Sequence, residues 1–235
     1  MKHIGIVACS AEGAALCYRT ICLEAQNVMG RHSHPEVTMH THSLAHYLHV
    51  LEGKGGWSGV ADLMLDSSEK LARAGADFLI SPDNTIHQCF DLVASRSPLP
   101  WLHIAQVVGL EAKTCHFRKV GVLGTGYLMD GPVYPVELAK LDIAWETPDD
   151  IDKSEINRII LEELTVGVLS DQSRGYIQDV ISVLKRRGCD AIILGCTELP
   201  LLIEQQDSVL PLLDSTRLLA RRAIRQAFVK SAKNV

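Results

Sequence analysis

The sequence predicts an α/β protein of two pseudo-symmetric lobes, each a mainly parallel sheet flanked by helices, with the active site in the cleft between them. Three observations predict this fold. Apolar strand-like runs alternate with amphipathic stretches from end to end, which is typical of right-handed βαβ units. Apolar residues make up 47% of the chain and aromatic ones only 5%, which favours an aliphatic core of buried parallel strands. Two segments of similar order, 81–87 (SPDNTIH) and 194–200 (LGCTELP), each stand where a strand gives way to a helix.

The first lobe is expected to comprise residues 1–100 together with residues 214–235. Its longest helix is expected over 59–74, because Val60, Met64 and Leu71 recur at helical spacing. In chain order the predicted elements are strand 4–9, helix 12–28, strand 37–41, helix 59–74, strand 77–81 and helix 86–94. Strands separated by helices in this way pair in parallel.

The second lobe is expected over residues 101–213. A helix start is predicted at residues 147–150 (TPDD), where proline and acidic residues stand near a helix N-terminus. A helix stop is predicted at residues 186–190 (RRGCD), where basic residues precede glycine. The predicted elements are strands 120–123, 142–145, 191–194 and 209–212 and helices 133–141, 152–164 and 173–187, followed by a closing helix at 215–228.

Charge and hydropathy exclude several classes of protein. The net charge is -5 and the basic residues are dispersed, so a nucleic-acid partner is not expected. No apolar run approaches the roughly 18 residues of a membrane span, and the first strand is too short for a signal-peptide core. Seven cysteines without paired spacing indicate reduced thiols. The sequence therefore predicts a cytoplasmic protein.

Six of the ten histidines fall between positions 32 and 49. If residues 36–43 form a strand, His40 and His42 share one face, a placement that suits a metal ion. A metal site also needs a third ligand, and no HExxH or equivalent spacing supplies one. The sequence therefore favours surface and site-rim imidazoles, with no metal and no cofactor.

The candidate catalytic residues follow strand ends. Ligands of open α/β sheets bind beyond the carboxyl ends of the strands, so Asp83, Thr125 and Cys196 are expected to converge. Moving the α-proton of an amino acid from one face of the carbon to the other requires two groups on opposite sides. Cys196 suits one role if the following helix N-terminus lowers its pKa, and Asp83 stands in the equivalent turn.

The flanking residues suit a substrate carboxylate. Asn84, Thr85 and Thr197 offer hydroxyl or amide donors at helix N-termini, which favour anions. Further candidate substrate-binding residues are Thr125, Ser10 after the first strand, and Glu198. Structural readings stay open for the same residues: Asn84 and Thr85 as helix caps, Cys196 as a small buried hydrophobe, Glu198 as a first-turn helix charge and His87 as a satisfied helix histidine.

The order of these motifs resembles the aspartate/glutamate racemase family. The resemblance is carried by GCTELP at 195–200 and NTIH at 84–87, and it runs nearly end to end. Supporting segments are IGIV at 4–7, HPEV at 34–37, RAGAD at 73–77, GVLGT at 121–125, EEL at 162–164 and LPLLD at 210–214.

The resemblance implies a cofactor-independent enzyme, usually a homodimer, in which two cysteines act from opposite faces of the α-carbon. Cys196 matches the second cysteine, while Asp83 stands at the position of the first, as in some relatives close to the broad-specificity branch. Leu48 and Val166 align with the basic residues that hold the distal carboxylate in aspartate-specific members, and neither can pair with a carboxylate. Arg174, Lys54 and His46 are the cations nearby in sequence.

Three functions follow as hypotheses. The first is an amino-acid racemase or epimerase that exchanges the α-proton through Cys196 and Asp83. The second is a decarboxylase or lyase of the same fold that uses the single cysteine. The third is a binding protein that takes a small amino or carboxylic acid without turnover. The first is preferred, because both turns carry a group that can exchange protons.

Overall fold

The computed structural model of the chain describes residues 1–228 and confirms the α/β fold with two parallel, helix-flanked sheets. Two compact units each contain one four-stranded sheet. The first unit comprises residues 1–82, 89–103 and the C-terminal part from 219, and the second comprises 83–88 and 104–218.

The sheet of the first unit has the strand order β2-β1-β3-β4, with every neighbouring pair parallel. Its strands are β1 (Ile4–Ala8), β2 (Val37–Thr41), β3 (Phe78–Ile80) and β4 (Trp101–Leu102). Its helices are α1 (Ala11–Glu24), α2 (Gln26–Met29), α3 (Leu44–Glu52), α4 (Gly56–Arg73) and α5 (Phe90–Ala94). The central strands β1 and β3 are fully buried, whereas β2 lies at the edge and is partly exposed.

The sheet of the second unit repeats this order as β6-β5-β7-β8, again with all pairs parallel. Its strands are β5 (Lys119–Leu123), β6 (Ala144–Glu146), β7 (Ala191–Leu194) and β8 (Leu212–Asp214). Its helices are α6 (Ile104–Thr114), α7 (Gly126–Met129), α8 (Val133–Ala139), α9 (Asp150–Arg158), α10 (Asp171–Arg186), α11 (Leu199–Leu202) and the start of α12 (Ser215–Phe228). The identical order in the two units gives the coarse sequence similarity a structural basis.

Both units pack aliphatic side chains between sheet and helices, as the composition predicts. In the second unit, β7 and helix α10 bury Ile192, Leu194, Ile177, Ile181 and Leu184 in one cluster. Burial of this kind stabilises the fold by roughly 1.5–3 kcal/mol for each large side chain. The rigid sheet that results fixes the positions of the loops at its carboxyl edge.

Several elements differ from the sequence prediction. Helix α3 was not predicted; Ser43 begins it by accepting a hydrogen bond from the His46 amide at 3.2 Å. The predicted helix 86–94 is a 3₁₀ helix, Thr85–Cys89, followed by α5. The last strand lies at 212–214 instead of 209–212, because Leu212–Asp214 are the residues that pair with β7.

The division of the chain also differs in detail from the one based on sequence. Residues 83–88 belong to the second unit, although they follow a strand of the first. Residues 101–103 stay with the first unit, because β4 pairs with β3. Among residues 1–228, no helix is both long enough and apolar enough to cross a membrane.

Candidate active site

The candidate site of the second unit lies at the carboxyl edge of its sheet. Strands β5, β7 and β8 end there and are followed by Thr125, Cys196 and Ser215. The segment Asp83–Gln88, here called the Asp83 segment, belongs to the same unit. Asp83, Thr125 and Cys196, which the sequence predicts to converge, therefore belong to the same unit.

Close backbone approach holds the ends of β5 and β7 together. The amide of Gly195 donates to the carbonyl oxygen of Leu123 at 2.7 Å. A Cβ atom on Gly195 would lie 2.5 Å from Leu128 Cδ2, so a larger residue could not stand there without a shift of the backbone or of Leu128. Glycine before Cys196 is thus a packing requirement at the start of the turn that carries this cysteine.

Hydroxyl and amide bonds attach the Asp83 segment to the strand ends. Thr85 Oγ1 lies 2.9 Å from Thr125 Oγ1, and Gln88 Nε2 donates to the carbonyl oxygen of Tyr127 at 2.5 Å. Thr125 begins helix α7 by accepting from the Leu128 amide at 3.3 Å. The Thr85 and Thr125 hydroxyls are therefore hydrogen-bonded to each other at the edge of the sheet, and the Thr125 hydroxyl also caps helix α7.

The amide of Asn84 is oriented by a chain of buried hydrogen bonds. Ser215 Oγ donates to the carbonyl oxygen of Leu194 at 2.7 Å and can therefore accept from Asn84 Nδ2 at 2.9 Å. Tyr134 donates its hydroxyl to Asn84 Oδ1 at 2.7 Å, and burial raises the pKa of Tyr134 so that it stays a donor. One Asn84 Nδ2 hydrogen is used by Ser215, and the second can serve a ligand.

The backbone of Asp83 is held by a buried histidine. His87 Nδ1 donates to the Asp83 carbonyl oxygen at 2.7 Å, and His87 Nε2 accepts from the Ile104 amide at 3.4 Å. The Asp83 carboxylate caps the 3₁₀ turn by accepting from the Ile86 amide through Oδ1 at 3.2 Å. His87 is therefore the satisfied histidine of the structural reading.

Residues 195–198, here called the Cys196 turn, bury a thiol beside a carboxylate. Cys196 Sγ donates to Glu198 Oε2 at 2.9 Å, and Thr197 Oγ1 donates to the same oxygen at 2.6 Å. Burial raises the pKa of the Cys196 thiol well above its usual value, and the negative charge of Glu198 adds to the effect. The thiol is therefore protonated at neutral pH.

This result corrects the expectation that a helix N-terminus lowers the pKa of Cys196. Helix α11 after the turn has only four residues, and a backbone hydrogen bond is a smaller influence than burial and Glu198. The charge of Asp83 also raises the pKa of Cys196, which places that carboxylate within electrostatic reach of the sulfur. The site combines a protonated thiol with a carboxylate.

The other predicted residues lie as follows. Ser10 lies in the first unit, at the N-terminus of α1 after β1, and its side chain makes no helix-cap bond. Thr197 and Glu198 lie in the Cys196 turn and bond to each other, so the Glu198 carboxylate accepts hydrogen bonds from Thr197 and from Cys196 within the turn. Arg174 bonds to the Leu202 carbonyl oxygen and to Asp207 Oδ2 at 3.3 Å, so its charge is already paired.

Sequence reasoning missed three residues of the site. Ser215 follows β8, so the rule that polar residues at strand ends form sites could have found it. Tyr134 lies on helix α8, and no local signal marks it. Asn157 Oδ1 accepts from the Gly126 amide at 2.8 Å and thus supports the Thr125 turn from α9.

Comparison with known proteins finds relatives that are similar along nearly the whole chain. A putative Asp/Glu racemase from Yersinia pestis has a crystal structure that is 34% identical, covers 97% of this chain and 99% of its own, and superposes with a TM-score of 0.87. An aspartate racemase homologue from Pyrococcus horikoshii OT3 is 30% identical over 97% and 99% of the two chains, with a TM-score of 0.83. A broad-specificity amino-acid racemase from Bacillus subtilis (strain 168) is 24% identical over 68% of this chain and 69% of its own length.

The family comparison covers nearly the whole chain. The sequence model of the Asp/Glu/Hydantoin racemase family matches residues 6–223, which include the Asp83 segment and the Cys196 turn. The chain belongs to the Asp/Glu/Hydantoin racemase family.

Proposed function

We propose that the protein is a cofactor-independent amino-acid racemase or epimerase in which Asp83 and Cys196 act on opposite faces of the α-carbon. The observation that carries the proposal is the pairing, in one unit, of a protonated thiol with a carboxylate that raises the pKa of that thiol. The residues proposed to donate hydrogen bonds to the substrate are Asn84, Thr85, Thr125 and Thr197. Ser10 as a further substrate contact, a homodimer and a cytoplasmic location stay predictions from the sequence.

The resting protonation states define the order of the proton transfers. Asp83 removes the α-proton from the enantiomer whose hydrogen faces it, and the electron pair moves into the substrate carboxylate as an enediolate. Asn84 Nδ2, the threonine hydroxyls and nearby backbone amides stabilise this dianion by hydrogen bonds. Cys196 then donates its proton to the opposite face, which leaves a thiolate and a protonated Asp83.

Exchange of protons with solvent returns the enzyme to its resting state. The reverse direction begins from the form of the enzyme in which Cys196 is a thiolate and Asp83 is protonated. The raised pKa of Cys196 makes this form rare. The two enantiomers have equal free energy, so the difference between the pKa values of Cys196 and Asp83 slows racemisation equally in both directions. Each pKa unit of this mismatch slows it by about tenfold. Slow inversion with faster proton exchange on one face is the expected signature.

The test is proton exchange in D₂O with each enantiomer of a panel of amino acids. The unmodified protein should invert at least one of them and incorporate α-deuterium. Cys196→Ala should abolish inversion while α-deuterium uptake continues only with the enantiomer that faces Asp83. Asp83→Asn should lose inversion and slow α-deuterium uptake from both enantiomers, because the thiol that remains is protonated and cannot readily remove a proton.

The matched control for the thiol is Cys189→Ala, which removes another buried cysteine of the same unit, just before β7. It should behave as the unmodified protein does. Inversion that survives Cys196→Ala would end the proposal, as would the absence of exchange with every enantiomer tested. Unchanged activity after hydroxylamine treatment and dialysis would support independence from pyridoxal phosphate.

The alternatives from the sequence are separated by two further measurements. A single-cysteine decarboxylase would release CO₂ from a substituted malonate, and a binding protein would be stabilised by an amino acid that it does not turn over. The family comparison favours neither. CO₂ release without any racemisation would replace the proposal by the second hypothesis.

A further inference from the structure

We propose that the first unit carries a Zn²⁺ site formed by His40, His42 and Asp66, independent of the function proposed above. His40 lies in edge strand β2, and His42 lies two residues on, just beyond the strand end, so both side chains share one face. Asp66 lies on helix α4. One ligand atom from each of these half-buried residues lies within 4.8 Å of the others.

Asp66 is the third ligand that the sequence did not reveal. It stands 24 positions after His42, on a different element, so no short motif links them. His42 Nε2 lies 2.8 Å from Asp66 Oδ2, and the rings of His40 and His42 are 5.0 Å apart at their centres. The strand and the helix thus bring together two imidazoles and a carboxylate.

A bond outside the cluster sets the tautomer of His40. Ser67 Oγ donates its hydrogen to the Leu63 carbonyl oxygen at 3.1 Å, so it accepts from His40 Nδ1 at 2.9 Å. A neutral His40 ring with its proton on Nδ1 carries the lone pair on Nε2. Support of a metal-binding histidine through its other nitrogen is the usual outer-shell arrangement, and its loss typically costs 10–100-fold in metal affinity.

The other two ligands need only local changes to bind an ion. His42 Nε2 bonds to Asp66 now, and binding requires its ring proton to move to Nδ1. Lys70 Nζ also bonds to Asp66 Oδ2, at 2.6 Å, and it is partly exposed on the same helix. The Lys70 ammonium therefore competes with a cation for the carboxylate, and its removal should strengthen binding.

The ligand set selects the ion. Two imidazole nitrogens and one carboxylate oxygen suit Zn²⁺, whereas Mg²⁺ and Ca²⁺ prefer oxygen ligands alone. Ligands bound at about 2.0–2.1 Å in a tetrahedron lie about 3.4 Å apart, so modest side-chain rotations would close the site, with water at the fourth position.

The test uses the full chain, freed of metal and kept reduced, with ZnCl₂ in a calorimetric titration. One site of micromolar affinity is expected. Titration with Co²⁺ should give visible d–d bands without the near-ultraviolet charge-transfer band of a cobalt–thiolate bond. This measurement separates the proposed site from binding to the seven cysteines.

The variants test each step of the argument. His40→Gln, His42→Gln and Asp66→Asn should each weaken Zn²⁺ binding at least tenfold, and Ser67→Ala about tenfold, while His49→Gln, an exposed histidine outside the cluster, should bind as the unmodified protein does. Circular dichroism without metal checks the fold of each variant. Lys70→Met should bind Zn²⁺ more tightly, a gain that loss of folding cannot produce.

Three results would overturn the proposal. The first is no single-site binding at 100 µM ZnCl₂ by the unmodified protein. The second is a thiolate band in the cobalt spectrum. The third is equal affinity in the His42→Gln and His49→Gln proteins, which would leave His42 and Asp66 as a hydrogen-bonded pair that links β2 to α4.

Discussion

The Asp83 segment and the Cys196 turn occupy equivalent places after β3 and β7, yet they treat their ionisable groups in opposite ways. Asp83 accepts from a backbone amide and is held through its carbonyl oxygen by His87. Cys196 donates to a buried carboxylate. In the Asp83 segment the ionisable side chain accepts a hydrogen bond, and in the Cys196 turn it donates one.

The difference assigns the protons before any substrate is present. A buried thiol beside the negative charge of Glu198 is stabilised in its neutral form, because both influences raise its pKa. We therefore expect Asp83 to act first as base and Cys196 first as acid. The two turns occupy equivalent places in the fold, but their ionisable groups start the reaction in different roles.

The largest expected effect comes from removing the base. Asp83→Asn keeps the size of the side chain and its oxygen acceptor but cannot take a proton, so racemisation should fall by about 10²–10⁴-fold. Polarimetry or chiral chromatography of the product measures the loss. A rate within threefold of the unmodified protein would show that Asp83 is no base.

The matched variant for this position is Asp83→Cys, which places a thiol on both faces. Two groups of similar pKa remove the mismatch, so its racemisation should exceed that of Asp83→Asn. If Asp83→Cys is as inactive as Asp83→Asn, the difference in pKa between the two groups does not limit the rate of racemisation. The presence of a carboxylate in the Asp83 segment then needs another explanation.

A smaller effect is expected from the partner of the thiol. Glu198→Gln keeps an oxygen acceptor for Cys196 and Thr197 but removes the negative charge, so the pKa of Cys196 should fall toward its usual value. Each unit of decrease should raise the racemisation rate about tenfold by reducing the mismatch with Asp83.

Alkylation by iodoacetamide as a function of pH, measured by mass spectrometry of the Cys196 peptide, follows that pKa directly. In the unmodified protein the reaction should rise only well above pH 9, and in Glu198→Gln at lower pH. The exposed Cys115 provides the internal reference. Identical profiles for Cys196 in both proteins would mean that Glu198 does not control the thiol.

The smallest effect concerns the orientation of Asn84 beside both turns. Tyr134→Phe leaves the buried Asn84 Oδ1 without its donor, which should cost about 1–3 kcal/mol of unfolding free energy and raise KM more than it lowers kcat. Thermal unfolding and initial rates measure the two effects. Tyr18→Phe, an exposed tyrosine of the first unit, should change neither.

Much of the fold is readable from sequence because it depends on local patterns. Alternating apolar runs predicted the strands, the closing helix 215–228 was placed at its observed bounds, and the repeated turn pointed to two similar sheets. Helix α3 has nine residues, and it was missed because two of the four residues at positions 46–49 are histidines, which have no strong helix preference. The strand ends predicted Asp83, Thr125 and Cys196 as candidate site residues for the same local reason.

The sequence by itself determined which chemical groups stand at the carboxyl ends of the strands, because strand and helix periodicity are local properties of the chain. Tertiary structure decided which of those groups touch. Tyr134 and Ser215 reach Asn84 across 50 and 131 positions, and Asp66 reaches His42 across 24. It also decided where the proton of Cys196 resides, since burial and the neighbouring charge of Glu198 set the pKa, and burial is a property of the packed fold.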